Sequence, residues 1–215
     1  MSDIRVDGYV SLSFWREEEI GIIVLRTDEN AELSLNHLSE LITALGTAAM
    51  DDKVRAVAIT GMNMRFAGDL KIDSRADAKT LEQYSQTLLS LVYSIEKPIF
   101  TILNGDAIGA GYEIALLGDV ILASGDVSLG LGGSYTFKLG GSVTSIRFNN
   151  FDIRKASVGV NADVIFNKDR LLDDAKQYIK DHILFDYPLI RKRRMISLRE
   201  SLLEERERLN QRMIF

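Results

Sequence analysis

The sequence lacks cysteine altogether and contains only two histidines, His37 and His182, among its 215 residues. Without cysteine the chain cannot form disulfides, use a thiolate as a nucleophile or bind a metal through sulfur. The two histidines lie on predicted helices far apart in the sequence, and we assign neither to a functional site. We therefore expect no metal centre.

Long apolar segments are also missing. No run approaches the roughly 18 residues that a membrane-spanning helix needs, and no basic segment followed by an apolar one stands at the N-terminus. A formal net charge of -5 argues against nucleic acid as the main partner, because affinity for nucleic acid comes mainly from Lys and Arg that neutralise phosphates. These features predict a cytoplasmic protein that binds neither a membrane nor nucleic acid.

What the chain does contain is the composition of a globular domain. With 46% hydrophobic and 27% charged residues, it is long enough to bury a sizeable core. Alternating residues at 9–14 and an apolar run at 20–25 predict a hairpin arm and a buried strand. The same criteria predict strands at 54–60, 99–103 and 120–123 and helices at 34–50, 78–95 and 112–117. This alternation predicts an α/β fold with a largely parallel sheet and right-handed crossovers.

Two segments at the strand ends predict where a ligand would bind. Ligands on parallel sheets bind at the carboxyl ends of the strands, and here those ends lead into a loop at 61–71 and a Gly-rich turn at 104–111. A site is therefore expected where the two segments meet. Farther along, residues 128–150 are polar and rich in glycine, which predicts irregular structure. Helices are predicted at 153–159, 170–182 and 195–213.

The Gly-rich turn carries the strongest chemical signal. Its backbone amides are presented at the start of a helix, where negative charge is stabilised. A dinucleotide fingerprint would need a third glycine after Gly109 and Gly111, but that position is Ile114. Glu113 opens an otherwise apolar helix, and a buried carboxylate is costly unless it is paired or used. It is interpreted either as a glutamate that complements the helix dipole or as a general acid/base beside an oxyanion-binding turn.

Several successive segments resemble one family. Residues 97–119, KPIFTILNGDAIGAGYEIALLGD, closely resemble the KPxxAxxNGxxxGGGxExAxxxD signature of the enoyl-CoA hydratase/isomerase (crotonase) superfamily. Residues 51–61, DDKVRAVAITG, are similar to the DxxVRxxVxTG strand of that family. Further matches run from 33 to 45, which resembles the NALSxxMxxELxxAL helix, and from 156 to 175. Because the matches follow the family's order over most of the chain, chance agreement is implausible.

The resemblance implies a fold, a substrate class and an assembly. The fold is a crotonase-like α/β core of repeated β-β-α units with largely parallel sheets over residues 1–150, followed by a C-terminal helical oligomerisation region over 151–215. The substrate is an acyl-CoA thioester that carries coenzyme A itself, and no separate cofactor is implied. Family subunits commonly trimerise through their C-terminal helices, so a homotrimer or a dimer of trimers is implied as well.

Catalytic roles carried over from the resemblance fall on backbone amides and one carboxylate. In the family, two amides hold the thioester oxygen as enolate charge develops. They map onto Ala110 and onto the Gly68–Asp69 region, where FAGDL resembles FSAGADL with two residues missing. Glu113 maps onto the first of two glutamates that activate and position water, and Gly133 stands at the position of the second.

The resemblance assigns substrate binding to Leu33, Ala67, Lys71, Gly109 and Gly133. Leu33 matches a motif whose backbone lies near the CoA adenosine, and Lys71 matches a lysine close to the CoA pyrophosphate. The alternative interpretation of Lys71 is an exposed loop lysine without a ligand.

Two functional hypotheses follow. The first is an acyl-CoA enzyme of the hydratase/isomerase type in which Glu113 alone moves the proton. The second is a catalytically degenerate CoA-binding or structural homologue, favoured by Gly133 and by the shortened loop. Losing one general acid/base typically costs about 10²- to 10⁴-fold in rate, so a hydratase would be strongly impaired. A proton shuttle between carbon positions, a decarboxylation or a thioester hydrolysis could still proceed.

Overall fold

The computed structural model describes residues 4–6, 8–130 and 162–183. The irregular structure predicted beyond residue 130 and the helices predicted at 153–159 and 195–213 lie outside these ranges. Of the C-terminal region, the described part consists of a short strand and the helix predicted at 170–182.

A seven-stranded sheet forms the centre of the described structure. The strands of the described residues are β1 (Ile4–Val6), β2 (Leu12–Glu17), β3 (Ile20–Leu25), β4 (Ala56–Gly61), β5 (Ile99–Leu103), β6 (Ala107–Ile108), β7 (Val120–Ser124), β8 (Leu129–Gly130) and β9 (Val164–Phe166). The large sheet has the order β1-β2-β3-β4-β5-β7-β9. β1, β2 and β3 pair antiparallel, and from β3 onward every neighbouring pair is parallel. The predicted hairpin and the predicted parallel order are confirmed.

Side chains of the parallel strands form two apolar layers on opposite faces of the sheet. In β4, Val57 and Ile59 belong to one layer, whereas Ala56 and Ala58 belong to the other. β3, β5 and β7 divide in the same way, because successive residues of a strand point to opposite faces. Since both faces are buried, these strands are mostly apolar, as is usual for parallel sheets.

Three helices cover the first face, and their bounds are α1 (Leu35–Met50), α2 (Arg75–Ser94) and α3 (Ala110–Ala115). α2 begins before the predicted residue 78, because the Ser74 hydroxyl accepts a hydrogen bond from the amide of Asp77 at 3.1 Å and so caps the helix. α3 likewise begins before the predicted residue 112, directly after Gly109. None of the described helices is long and apolar enough to span a membrane.

A fourth helix, α4 (Leu171–His182), covers the second face. Lys176 lies 2.9 Å from the carboxylate of Glu17, and Lys180 lies 2.8 Å from that of Glu18, both at the turn of the β2–β3 hairpin. Such partly exposed ion pairs contribute about 0–1 kcal/mol each. The buried apolar side of α4 therefore provides most of the energy that holds the helix on the sheet.

A second, small sheet lies at the carboxyl ends of the strands. β6 and β8 pair in parallel with Ala107 opposite Leu129, and single bridges join Leu33 to Leu70 and Ala67 to Ala107. The loop at 61–71, here named the β4 loop, therefore runs beside the turn at 104–111, here named the β5 turn. The prediction of irregular structure is wrong at residues 129–130, because pairing with β6 orders them as β8.

Candidate functional site

Asn104 ties together the ends of the two strands that lead into the site. Its buried side chain donates a hydrogen bond to the carbonyl of Gly61 at 2.7 Å and accepts one from the amide of Gly61 at 3.2 Å. Gly61 is the last residue of β4, and Asn104 directly follows β5. The β4 loop and the β5 turn therefore leave the sheet at a fixed distance from each other.

Glycines let the β4 loop and the β5 turn approach each other backbone to backbone. A Cβ atom on Gly105 would lie 2.3 Å from the carbonyl oxygen of Met64, and one on Gly111 would lie 2.0 Å from the carbonyl oxygen of Ala67. Both distances are far below any normal contact of a Cβ atom, so a larger residue at either position would push the two segments apart. Close approach therefore explains both glycines.

Backbone hydrogen bonds join the predicted site residues into one network. The amide of Leu33 donates to the carbonyl of Asp69 at 2.9 Å, and the amide of Lys71 donates to the carbonyl of Leu33 at 3.0 Å. Across the two segments, the amide of Gly111 donates to the carbonyl of Gly68 at 2.8 Å. The β4 loop and the β5 turn thus meet, as the parallel topology predicts.

The amides of Gly68 and Ala110, predicted to hold a thioester oxygen, both have acceptors within the protein. The amide of Gly68 donates to the carbonyl of Ala31 at 2.7 Å. In this conformation it is not available to a ligand, because the Ala31 carbonyl already accepts its hydrogen bond. The amide of Ala110 donates to the carboxylate of Asp69, with 3.3 Å between the nitrogen and Oδ1. A carboxylate oxygen therefore lies where the resemblance expects the substrate oxygen.

The side chain of Asp69, a residue of the β4 loop, contacts the β5 turn. The amide of Leu70 donates to the same Oδ1 atom at 2.7 Å. Gly109 adopts a φ of +60°, and a Cβ atom on it would lie 2.7 Å from Cγ of Asp69. The positive φ therefore requires glycine at position 109, and the Asp69 carboxylate occupies the space next to its Cα atom.

Glu113 lies on the helix that starts at this turn. Its side chain is buried, with 3% exposed, and its amide donates to the carbonyl of Gly109 at 3.2 Å in the first turn of α3. The whole of α3 is buried. A carboxylate in such surroundings, close to a polar turn, has the chemistry to take up and return a proton.

A cavity of about 490 Å³ opens beside the β4 loop and the β5 turn. Ala67, Gly68 and Asp69 line it, whereas Ala110 and Glu113 are not among the described residues that do. Ala110 is 0% exposed. Asp69 therefore both borders the cavity and contacts the Ala110 amide behind it.

The cavity is also lined by charged residues that the sequence does not single out. Nζ of Lys168 lies 2.5 Å from Oδ2 of Asp126, and the hydroxyl of Ser124 donates to the same carboxylate. The hydrogen bond from Lys168, and after it the one from Ser124, lowers the pKa of Asp126. The hydrogen bond to Asp126 in turn raises the pKa of Lys168. Asp126 and Lys168 are 42 residues apart, and the pairing of β7 with β9 brings their segments together.

The remaining predicted residues differ in their relation to the cavity. The side chain of Lys71 is exposed and is not among the described residues that line it. Leu33 is 1% exposed and is not among the described residues that line the cavity. Gly133 lies outside the described residues. Within 4–6, 8–130 and 162–183, no group of three His, Cys, Asp or Glu residues is placed to hold a metal ion.

Comparison with known sequences identifies one family. The enoyl-CoA hydratase/isomerase family model matches residues 16–147. The chain is 31% identical over 121 residues to a 2,3-dehydroadipyl-CoA hydratase of Escherichia coli (strain K12), a match that covers 54% of the chain and 47% of the relative. It is 27% identical over 127 residues to a probable enoyl-CoA hydratase of Bacillus subtilis (strain 168), with 56% and 49% covered. The chain thus spans about half the length of these curated relatives.

Solved structures show the same fold at lower identity. An enoyl-CoA hydratase from Mycobacterium avium subsp. paratuberculosis K-10 aligns with a TM-score of 0.76 and 14% identity, covering 92% of this chain and 88% of that chain. One from Bacillus anthracis aligns with a TM-score of 0.74 and 19% identity, covering 92% and 89%. This likeness shows the predicted crotonase-like α/β fold. Because the family model matches more than half of the 215 residues, the chain belongs to the enoyl-CoA hydratase/isomerase family.

Proposed function

We propose that this chain is an acyl-CoA thioester-binding enzyme of the hydratase/isomerase type, with Glu113 as its acid/base. Family membership supports an acyl-CoA ligand. The observation that carries the proposal is the burial of the Glu113 side chain on α3, which begins at Ala110 where the β4 loop and the β5 turn meet. A carboxylate is expensive to bury in an apolar helix unless it is paired or used, and the family resemblance maps Glu113 onto a glutamate that acts as an acid/base.

The reaction that one glutamate can complete is migration of a double bond. The Glu113 carboxylate removes a proton from the α-carbon of a β,γ-unsaturated thioester, and the electron pair moves into the thioester to give an enolate. Backbone amides, that of Ala110 among them, stabilise the enolate oxygen. The same carboxyl group then returns the proton at the γ-carbon, which leaves an α,β-unsaturated thioester. Protons and electrons balance without a second acid.

Hydration makes a larger demand on the site. In the family's hydratases two glutamates activate and position the water, and the resemblance places Gly133 where the second would stand. Removing one general acid/base costs about 10²- to 10⁴-fold. We therefore expect isomerisation to be faster than hydration for this chain.

Steady-state assays with short and medium enoyl-CoA substrates test the proposal. Glu113→Gln keeps the size of the side chain but cannot carry the proton, so we expect the isomerisation rate to fall about 10²- to 10⁴-fold. Glu82→Gln, on the exposed side of α2, is the matched control and should keep the wild-type rate. An isomerisation rate that survives Glu113→Gln unchanged would remove Glu113 from the mechanism.

The alternative is a CoA-binding homologue that has lost the reaction. The specific observation in its favour is that the amides of Gly68 and Ala110 both donate to acceptors within the protein. Calorimetry with acetyl-CoA and CoA, run beside the assays, separates the two functions. Micromolar binding without turnover of any tested thioester favours the alternative, and robust turnover eliminates it.

A further inference from the structure

We propose that the carboxylate of Asp69 competes with the ligand's thioester oxygen for the amide of Ala110. The strength of this competition sets how well the chain distinguishes an acyl-CoA thioester from free CoA. The inference rests on the proposed binding of acyl-CoA. The family resemblance gives a role only to the backbone at Asp69, whereas this inference gives its side chain a role in selectivity.

The hydrogen bonds of Asp69 are the first step. One carboxylate oxygen accepts from the amide of Ala110 at 3.3 Å and from the amide of Leu70 at 2.7 Å. A thioester oxygen can bind the Ala110 amide only after this oxygen has moved away. Hydrogen bonds to an ionised acceptor are roughly twice as strong as those to a neutral one, so the neutral thioester competes at a disadvantage.

The position of Asp69 relative to the cavity is the second step. Asp69 lines the cavity, whereas Ala110 is fully buried and is not among the described residues that line it. The carboxylate also covers Gly109, since its Cγ lies 2.7 Å from where a Cβ atom of that residue would be. A ligand that enters from the cavity therefore meets the carboxylate of Asp69 before it reaches the Ala110 amide.

The exchange itself is feasible, because Asp69 as a residue is exposed. A side chain that rotates away from the turn becomes hydrated and does not remain buried without a partner. Free CoA carries a thiol in place of the thioester and has no oxygen to place at Ala110. Its binding requires no displacement of Asp69, so a change in the ratio of the acetyl-CoA and CoA affinities between the wild type and an Asp69 variant reports on this contact.

Calorimetry on the full chain and its variants tests the competition. We expect Asp69→Ala to raise the affinity for acetyl-CoA relative to CoA about 10-fold, equivalent to about 1.4 kcal/mol, because the Ala110 amide loses its internal acceptor. Asp69→Asn should give a smaller increase, since its amide oxygen is a neutral acceptor at the same place. Glu82→Gln removes an exposed carboxylate that is not among the residues lining the cavity and should leave the ratio unchanged.

Two outcomes other than the expected rise in the ratio can be told apart. A ratio that stays the same or falls in both Asp69 variants overturns the proposal and makes Asp69 a structural support of the β4 loop. Thermal unfolding of each variant shows whether loss of the Asp69 carboxylate affects folding. If Asp69→Ala unfolds, Asp69→Asn remains decisive, because it keeps an acceptor for both amides. Failure of the wild type and of every variant to bind either acetyl-CoA or CoA defeats the proposed function itself, and this inference with it.

Discussion

His37 is a buried histidine whose hydrogen bonds specify one neutral tautomer. Its Nδ1 atom accepts from the amide of Ser34 at 3.0 Å, so the proton lies on Nε2, which donates to the carbonyl of Arg26 at 3.0 Å. Burial lowers the pKa of His37 from its ordinary 6.5 and outweighs the raising effects of the Arg26 hydrogen bond and nearby carboxylates. Protonation at Nδ1 would break the bond from Ser34 at the start of α1.

Protein stability should therefore depend on pH through His37. Above pH 6.5, the contribution of neutral His37 to the free energy of unfolding is fully present. As the pH falls from this unfolded-state pKa toward the lower folded-state pKa, the unfolded chain takes up a proton that the folded chain resists, and the free energy of unfolding falls. His37→Gln removes this component, whereas His182→Gln leaves His37 in place and keeps it. Urea unfolding at about pH 8 and about pH 5.5 measures the difference, and an unchanged pH dependence in His37→Gln contradicts the assignment.

Residue types alone predict the position of Glu113 better than the contact between Asp69 and Ala110. The burial of Glu113 is predictable because the residues that follow it in the helix are apolar. The contact between Asp69 and Ala110 is not, because it depends on the side-chain rotamer of Asp69 and on the left-handed backbone of Gly109. Neither feature produces a periodic pattern in the sequence.

At the scale of elements, predictability follows length and burial. β3, β4, β5 and β7 are predictable because each is buried on both faces and is mostly apolar. β1, β6, β8 and β9 contain only two or three residues each, too few for an alternation to be recognised. Pairing with neighbouring strands orders them, and that information lies elsewhere in the chain.

The connection between β4 and β5 is the element-level feature on which the site depends most. Asn104→Ala should lower the free energy of unfolding by about 2–6 kcal/mol, because the buried amide and carbonyl of Gly61 each lose this partner at a cost of about 1–3 kcal/mol. It should also weaken acetyl-CoA binding, since the β4 loop and the β5 turn lose their fixed spacing. Asn36→Ala, exposed on α1, is the control for denaturation and calorimetry. Equal stability of the two variants would show that the Asn104 bonds are dispensable.

For the whole molecule, we expect a homotrimer or a dimer of trimers. The family resemblance places subunit contacts in residues 151–215, and the apolar stripe of the helix predicted at 195–213 needs a cover from its own core or from a neighbour. Closed cyclic symmetry is the usual arrangement of soluble homo-oligomers. Size-exclusion chromatography with light scattering at micromolar concentration should give three or six times 24.1 kDa. A mass near a single chain contradicts the prediction.

The backbone contact between the β4 loop and the β5 turn also guides redesign. Gly105 and Gly111 each face a carbonyl group of the opposite segment, so no change of side chain elsewhere creates room for a larger residue at either position. Glu29 and Ile108 line the cavity and are not among the residues that a Cβ atom on either glycine would meet. A variant library that aims to alter acyl-chain preference should therefore hold the glycines constant and randomise the cavity positions, so that its members differ in selectivity and share one scaffold.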